Sequence, residues 1–200
     1  MMKFRFALVL ALLAGVVFVV SCGLKEVNDG PDPSNLVESA DEGQDGDGEK
    51  YPFSPFPYEF SAQDLYGNPV SAETLGEKRI FFVHLWGSWC PPCIGEMPEL
   101  AQVAAEYEAT VGFLGLVDDY ASNLDGVVQV TEASGVPLTF INVDDKTEGL
   151  AELRAMIQSG YVPTTIFIDG NGEMISEHII GAHGKAYAEI IDGVLAQEGA

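Results

Sequence analysis

Cysteine is scarce in this chain: three in 200 residues, at Cys22, Cys90 and Cys93. That excludes a scaffold held by many disulfides, and a structural zinc site drawing on a second C-x-x-C finds none. Basic side chains are also few. Nine Lys and Arg stand against 31 Asp and Glu, a formal charge of −22. This balance argues against nucleic acid, which proteins hold by neutralising phosphates, and against lying directly on an anionic lipid surface. Long apolar runs are missing as well. The one candidate, Phe6 to Val20, has fifteen uncharged residues, short of the ~20 that cross a bilayer.

What is present begins with that run. Lys3 and Arg5 precede it and Val19-Val20-Ser21-Cys22 ends it, a basic start, an apolar stretch and a small residue before a cut. Residues 1–21 therefore read as a secretory signal, and V-V-S-C resembles a bacterial lipobox, which would leave Cys22 lipidated at the new N-terminus. Residues 22–50 carry nine acids, two lysines and almost no large apolar side chain. Such a segment cannot bury enough surface to offset its ordering entropy and reads as an acidic disordered tether. Residues 51–200 read as one domain, with 22 acidic and five basic side chains.

Within that domain Arg79 to Trp86 has the composition of a buried strand. A helix is expected from Pro91 to about Ala109, with Leu100, Val103, Ala104 and Tyr107 on one face. Strands follow at Val111–Val117 and Leu138–Val143, helices at Ser122–Ser134 and Glu148–Gln158. Strands at Thr164–Ile168 and Met174–Ile180 flank the turn signal Asp169-Gly170-Asn171-Gly172, and Lys185–Gln197 closes as a helix. The order implies an α/β fold with a central mixed sheet covered on both faces.

The motif Trp86-Gly-Ser-Trp-Cys-Pro-Pro-Cys93 lies where the first of these strands meets its helix. Cys90 at a helix N-terminus faces unpaired N–H groups and the positive end of the helix dipole, which lower a thiol pKa from ~8.5 toward ~7. Pro91 and Pro92 are tolerated in the first turn, stiffen the loop and remove donors that would stabilise the Cys90 thiolate. The pair reads as a reversible disulfide, with no cofactor beyond it and no metal.

WCPPC after an apolar strand resembles the thioredoxin superfamily, and the longer pattern resembles its extracytoplasmic TlpA/ResA-like branch, which includes reductases of cytochrome c maturation. Pro98, the Val162-Pro163-Thr164 stretch, the Val111–Gln158 segment and the Phe56–Val70 segment match the helix kink, the cis-proline loop, the β-α insertion and the N-terminal hairpin of that branch. The resemblance implies an exposed Cys90 that attacks a client disulfide and a buried Cys93 that resolves the mixed disulfide. It implies a membrane electron donor, and the domain is expected to act as a monomer. Glu96, one helical turn beyond Cys93, is by that resemblance the expected proton acceptor, with a solvated helix acid as the alternative that helical geometry alone leaves open. His84, on one strand face with Ile80, Phe82 and Trp86, is a second proton-handling candidate, with a satisfied core histidine as the alternative. Trp89, Val162 and Pro163, with Pro91 and Pro92, would contact the client, Pro163 through a cis bond.

Two other activities compete. Peroxiredoxins share the insertion, but they place Thr or Ser three residues before the reactive cysteine, where this chain has Gly87. Copper chaperones of the Sco type use two cysteines and a distal histidine such as His183, but space the cysteines by three residues. Between reductant and oxidant, the expected potential lies nearer thioredoxin's ~−270 mV than ~−120 mV.

Overall fold

The computed structural model describes residues 51–142 and 148–197; the signal segment, Cys22, the tether and Val143 lie outside the described residues. Seven consecutive buried residues make β3 (Ile80–Trp86) a central strand, and β4 (Val111–Val117) is buried to the same extent. These two pair in parallel, and β5 (Thr139–Asn142) pairs in parallel with β4. On the other side β6 (Thr164–Ile168) runs antiparallel to β3, followed by β7 (Ile179–Ile180), giving the order β5-β4-β3-β6-β7. A separate hairpin, β1 (Ser61–Gln63) with β2 (Pro69–Ser71), leads into the short α1 (Ala72–Leu75).

Alternation along β3 assigns its side chains to two cores. Ile80, Phe82 and Trp86 join a cluster with residues of α2 (Pro91–Tyr107), α3 (Leu124–Ser134) and α5 (Ala186–Leu195). Phe81, Val83 and Leu85 join a second cluster with Phe60, Val70 and the α4 (Glu148–Ile157) residues Leu150, Leu153 and Ile157. Helices and hairpin thus cover both faces of the mixed sheet, as the element order implies.

One expected strand is corrected. Met174–Ile180 does not form a continuous strand: Met174 makes an isolated bridge to Ile168, and regular pairing resumes only at Ile179. Between them the Ser176 hydroxyl oxygen accepts the Phe167 N–H at 2.9 Å, so a side chain stands where a backbone partner would continue the ladder.

Gly115 in β4 lies opposite Phe140 of β5, and a Cβ there would sit 2.2 Å from the Phe140 ring. That ring packs edge-on against Trp86, the last residue of β3 and the first of the WGSWCPPC motif, at 5.4 Å. Gly115→Ala is therefore expected to cost ~1–3 kcal/mol, the usual penalty of overpacking, read as a lower urea midpoint with an unchanged slope.

Candidate active site

Cys90 is the N-cap of α2, and its sulfur accepts the Cys93 N–H at 3.2 Å. Pro91 and Pro92 occupy the first helical positions, where a missing N–H costs no intrahelical bond. The two cysteines are joined as a disulfide. Cys93 is fully buried and Cys90 is 2% exposed, so the expectation of an exposed Cys90 is corrected for the disulfide form. The reason is the loop opposite: the Val162–Pro163 bond is cis, as the resemblance implies, and the Val162 carbonyl oxygen lies 3.8 Å from the Cys90 sulfur. Trp89, in contrast, is 58% exposed and faces a cleft shared with Leu85, Asp118, Tyr161 and Val162.

The loop that delivers Cys90 is held from the other side. The Asp119 carboxylate accepts the Ser88 N–H at 2.9 Å and the Ser88 hydroxyl at 2.5 Å, and the Asn123 amide donates to Ser88 Oγ at 2.8 Å. Asp118 N–H also donates to the Trp86 carbonyl at 2.8 Å. Neither Asp119 nor Asn123 stands out in the sequence, because both follow β4 and reach the motif only through parallel pairing with β3.

Beneath the cysteines lies a buried polar group of four side chains. The inward face of α2 carries Cys93, Glu96, Met97 and Leu100, so Glu96 points into the core at 4% exposure. Its Oε2 accepts the N–H groups of His183 at 3.0 Å and Gly184 at 3.4 Å, just before α5. Its Oε1 lies 3.5 Å from His84 Nε2, and neither atom has another hydrogen-bond partner. On its far side His84 Nδ1 is 2.8 Å from Thr165 Oγ1, the residue paired with it across β3 and β6, and Thr165 Oγ1 is 2.9 Å from the Tyr187 hydroxyl. Burial dominates the ionisation of this group. It raises Glu96 to about 7, against the opposing N–H donors, and lowers His84 to about 3. Tyr187 is raised by burial and by the nearby Glu96 carboxyl.

The structure thus brings Pro91, Pro92, Val162 and Pro163 together around the buried Cys90–Cys93 disulfide, with Glu96 and His84 beneath it. Among the described residues no group of three or more His, Cys, Asp or Glu side chains is arranged to hold a metal. The arrangement suits thiol–disulfide exchange: a sulfur at a helix N-terminus, an open backbone carbonyl beside it, and an acid that can change protonation near neutrality.

Comparison with known proteins places this geometry. The family model described as AhpC/TSA matches residues 54–176. The chain belongs to the AhpC/TSA family. Within this family's sequence space it is similar to the thiol-disulfide oxidoreductase ResA of Oceanobacillus iheyensis, 29% identical over 181 residues, which cover 90% of this chain and 81% of the relative. A thioredoxin-family thiol:disulfide interchange protein from Chlorobium tepidum TLS superposes with a TM-score of 0.56 at 26% identity, covering 72% of this chain and 97% of that one. StoA from Bacillus subtilis, at 20% identity and a TM-score of 0.52 over 70% of this chain and 98% of its own, shares the fold. An AhpC/TSA-family chain with a WCPPC disulfide is therefore a thioredoxin-fold protein with thiol-disulfide oxidoreductase relatives.

Proposed function

We propose that this chain reduces disulfides of client proteins outside the cytosol. The observation that carries the reading is the Cys90–Cys93 disulfide at the N-terminus of α2, with the Val162 carbonyl beside Cys90 and Glu96 buried one turn beyond Cys93. In the reduced enzyme the Cys90 thiolate attacks one client sulfur, and the other client sulfur leaves as a thiolate that takes a proton from water. Cys93 then gives its thiol proton to Glu96 and attacks the Cys90 sulfur of the mixed disulfide. Two electrons have passed to the client, the second client thiolate leaves, and Cys90–Cys93 is oxidised. The Val162 N–H and C=O edge would pair with the client backbone, while Trp89 borders the cleft that receives it.

Return to the dithiol needs an electron donor, and a membrane thiol-disulfide protein fits a chain working outside the cytosol. Anchorage through a lipid on Cys22 and an acidic tether would hold the domain, itself strongly acidic, away from the bilayer surface.

Cys93→Ala in the native host tests the reading. The variant can attack but not resolve, so client proteins are expected to accumulate on Cys90 as adducts released by a reducing agent. A capture profile identical to that of the Cys90→Ala/Cys93→Ala double variant would remove the proposal's support.

A further inference from the structure

The placement of Cys90 at the cap of α2 is governed from both sides along the chain. Downstream, Pro91 confines the residue before it to extended backbone, and Cys90 has φ −98° and ψ 103°. Upstream, Gly87–Trp89 lie outside helix and strand, in a turn closed by the Cys90 N–H on the Gly87 carbonyl at 3.1 Å. That turn is gripped at Ser88. A carboxylate only accepts, so Asp119 takes both hydrogens Ser88 has to give, Oδ1 from the N–H and Oδ2 from the hydroxyl. Ser88 Oγ in turn accepts from the Asn123 amide. Both jaws belong to one turn after β4, where the Asp119 carbonyl accepts the Asn123 N–H at 2.9 Å.

Asn123 is drawn into this grip at the expense of its own helix. It is the N-cap of α3, a position where an asparagine side chain ordinarily accepts an N–H of the first turn. Here it makes no cap bond and reaches instead to Ser88, 35 residues away in the chain. The third helical residue, Gly126, leaves room for it: a Cβ there would lie 2.3 Å from Asn123 Nδ2. Asp119 is 7% exposed, so its carboxylate depends on the Ser88 donors more than on water.

We propose that Asp119 and Asn123 are positioning residues for the exchange step: through Ser88 they hold the Cys90 sulfur toward Cys93 while no bond joins the two. In the disulfide form the S–S bond keeps them together. In a mixed disulfide that bond is absent, and the clamp restrains the loop that bears Cys90. Closure then runs in one step. Cys93 loses its proton, its sulfur attacks the Cys90 sulfur, and the foreign sulfur leaves as a thiolate that gains a proton, with no further oxidant or reductant. A restrained loop raises the effective concentration of Cys93 at that sulfur, so the clamp both speeds and favours closure. The inference deepens the reductase reading and rests on it for the use of this step in the cell, though not for the step itself.

The test equilibrates the full-length chain with reduced and oxidised glutathione, quenches with acid, and locates adducts on Cys90 by peptide mass. The ratio of disulfide to Cys90–glutathione adduct at known glutathione gives the effective concentration of Cys93, and quenched mixing gives the closure rate. Neither depends on the ionisation of Cys90, whose thiol is absent from both species. Ser88→Ala removes the hydroxyl that joins Asp119 to Asn123 and should lower both readouts about tenfold, the equivalent of one well-made hydrogen bond. Asn123→Ala should lower them about threefold, and Ser88→Thr, which keeps the hydroxyl, should restore them. A merely structural loss would lower the unfolding midpoint and leave the disulfide-to-adduct ratio unchanged. A folded Ser88→Ala protein with wild-type closure overturns the proposal, and so does a Ser88→Thr protein as impaired as Ser88→Ala. Should Ser88→Ala not fold, Asn123→Ala at its exposed position decides, and unchanged closure there overturns the proposal. If the variants close slowly in a chain whose Cys93→Ala form captures no client, the reductase reading fails and the clamp stands.

Discussion

Cys90→Ser is expected to reduce disulfide turnover by the full-length chain to the uncatalysed rate, with the fold intact. Serine is a good N-cap and its oxygen can accept the Cys93 N–H as the sulfur does, so α2 keeps its first-turn bond. What is lost is the nucleophile. The free N–H groups and the helix dipole at this N-terminus favour the thiolate over the thiol. The domain's excess of acids opposes this, but charges beyond a Debye length of ~8 Å are largely screened. An alcohol in the same place stays protonated and does not exchange with disulfides. Cys93 is not expected to take over, since it lies inside α2 and not at its cap, where the unpaired N–H groups favour a thiolate. The reciprocal Cys93→Ser should still form the first covalent adduct and stop there. Turnover of a disulfide peptide with a small dithiol as electron source, alongside detection of the adduct, separates the two variants. Equal residual turnover in both would mean that the sulfurs are interchangeable and that the cap position of Cys90 does not matter.

The sequence discloses the redox pair because its signal is local. Two cysteines three apart at a strand–helix junction are enough to place a sulfur at a helix N-terminus, and the strand and helix that make the junction are themselves strongly patterned. β4 and β6 likewise match the expected Val111–Val117 and Thr164–Ile168, since a buried strand shows as an unbroken apolar run. The burial of Glu96 is also open to reading. Continuing the apolar stripe of α2 backward from Leu100 through Met97 to Cys93 puts Glu96 on the same inward face, and an acid on such a face rarely belongs to solvent.

The partners of these residues are not local, and that is why they are hidden. Thr165 meets His84 through the antiparallel register of β3 with β6, 81 residues apart. Tyr187 arrives from the last helix, and Asp119 from the loop after β4. A threonine in a strand and a tyrosine on a helix stripe look like ordinary packing until the register brings their hydroxyls together. The burial of Cys90 is hidden for a related reason. An N-cap on its own is an exposed position, and only the approach of the Val162 loop covers it.

Glu96→Gln should make the protein more stable at pH 8 and slower in exchange. The folded carboxyl holds its proton up to about 7 because it is buried, against 4.5 for the free side chain. The stability associated with this group is therefore fully present below pH 4.5 and is lost as the pH rises through about 7. Above that pH the buried carboxylate costs up to roughly 3 kcal/mol, at ~1.4 kcal/mol for each tenfold change in proton affinity. Glutamine removes the ionisation and keeps the contacts: its oxygen can accept the His183 and Gly184 N–H groups, and its amide nitrogen takes the place of the carboxyl oxygen that lies 3.5 Å from His84 Nε2. The gain in unfolding free energy over wild type should accordingly grow between about pH 4 and pH 8. His84 produces the opposite limb, because its folded value of about 3 lies below 6.5, so its contribution is present above pH 6.5 and lost as the pH falls. The substitution should leave that acid limb unchanged. The same change deprives Cys93 of its proton acceptor, and positioned proton transfer is worth ~10²–10⁴ in rate. Release of client from a preformed Cys90 adduct should slow by about a hundredfold or more and lose its inflection near neutrality. Urea titrations across pH and single-turnover release measure the two effects on one protein. A variant no more stable at pH 8 than wild type would show that the acid is not buried as described, and unaltered release would show that the Cys93 proton leaves by another route.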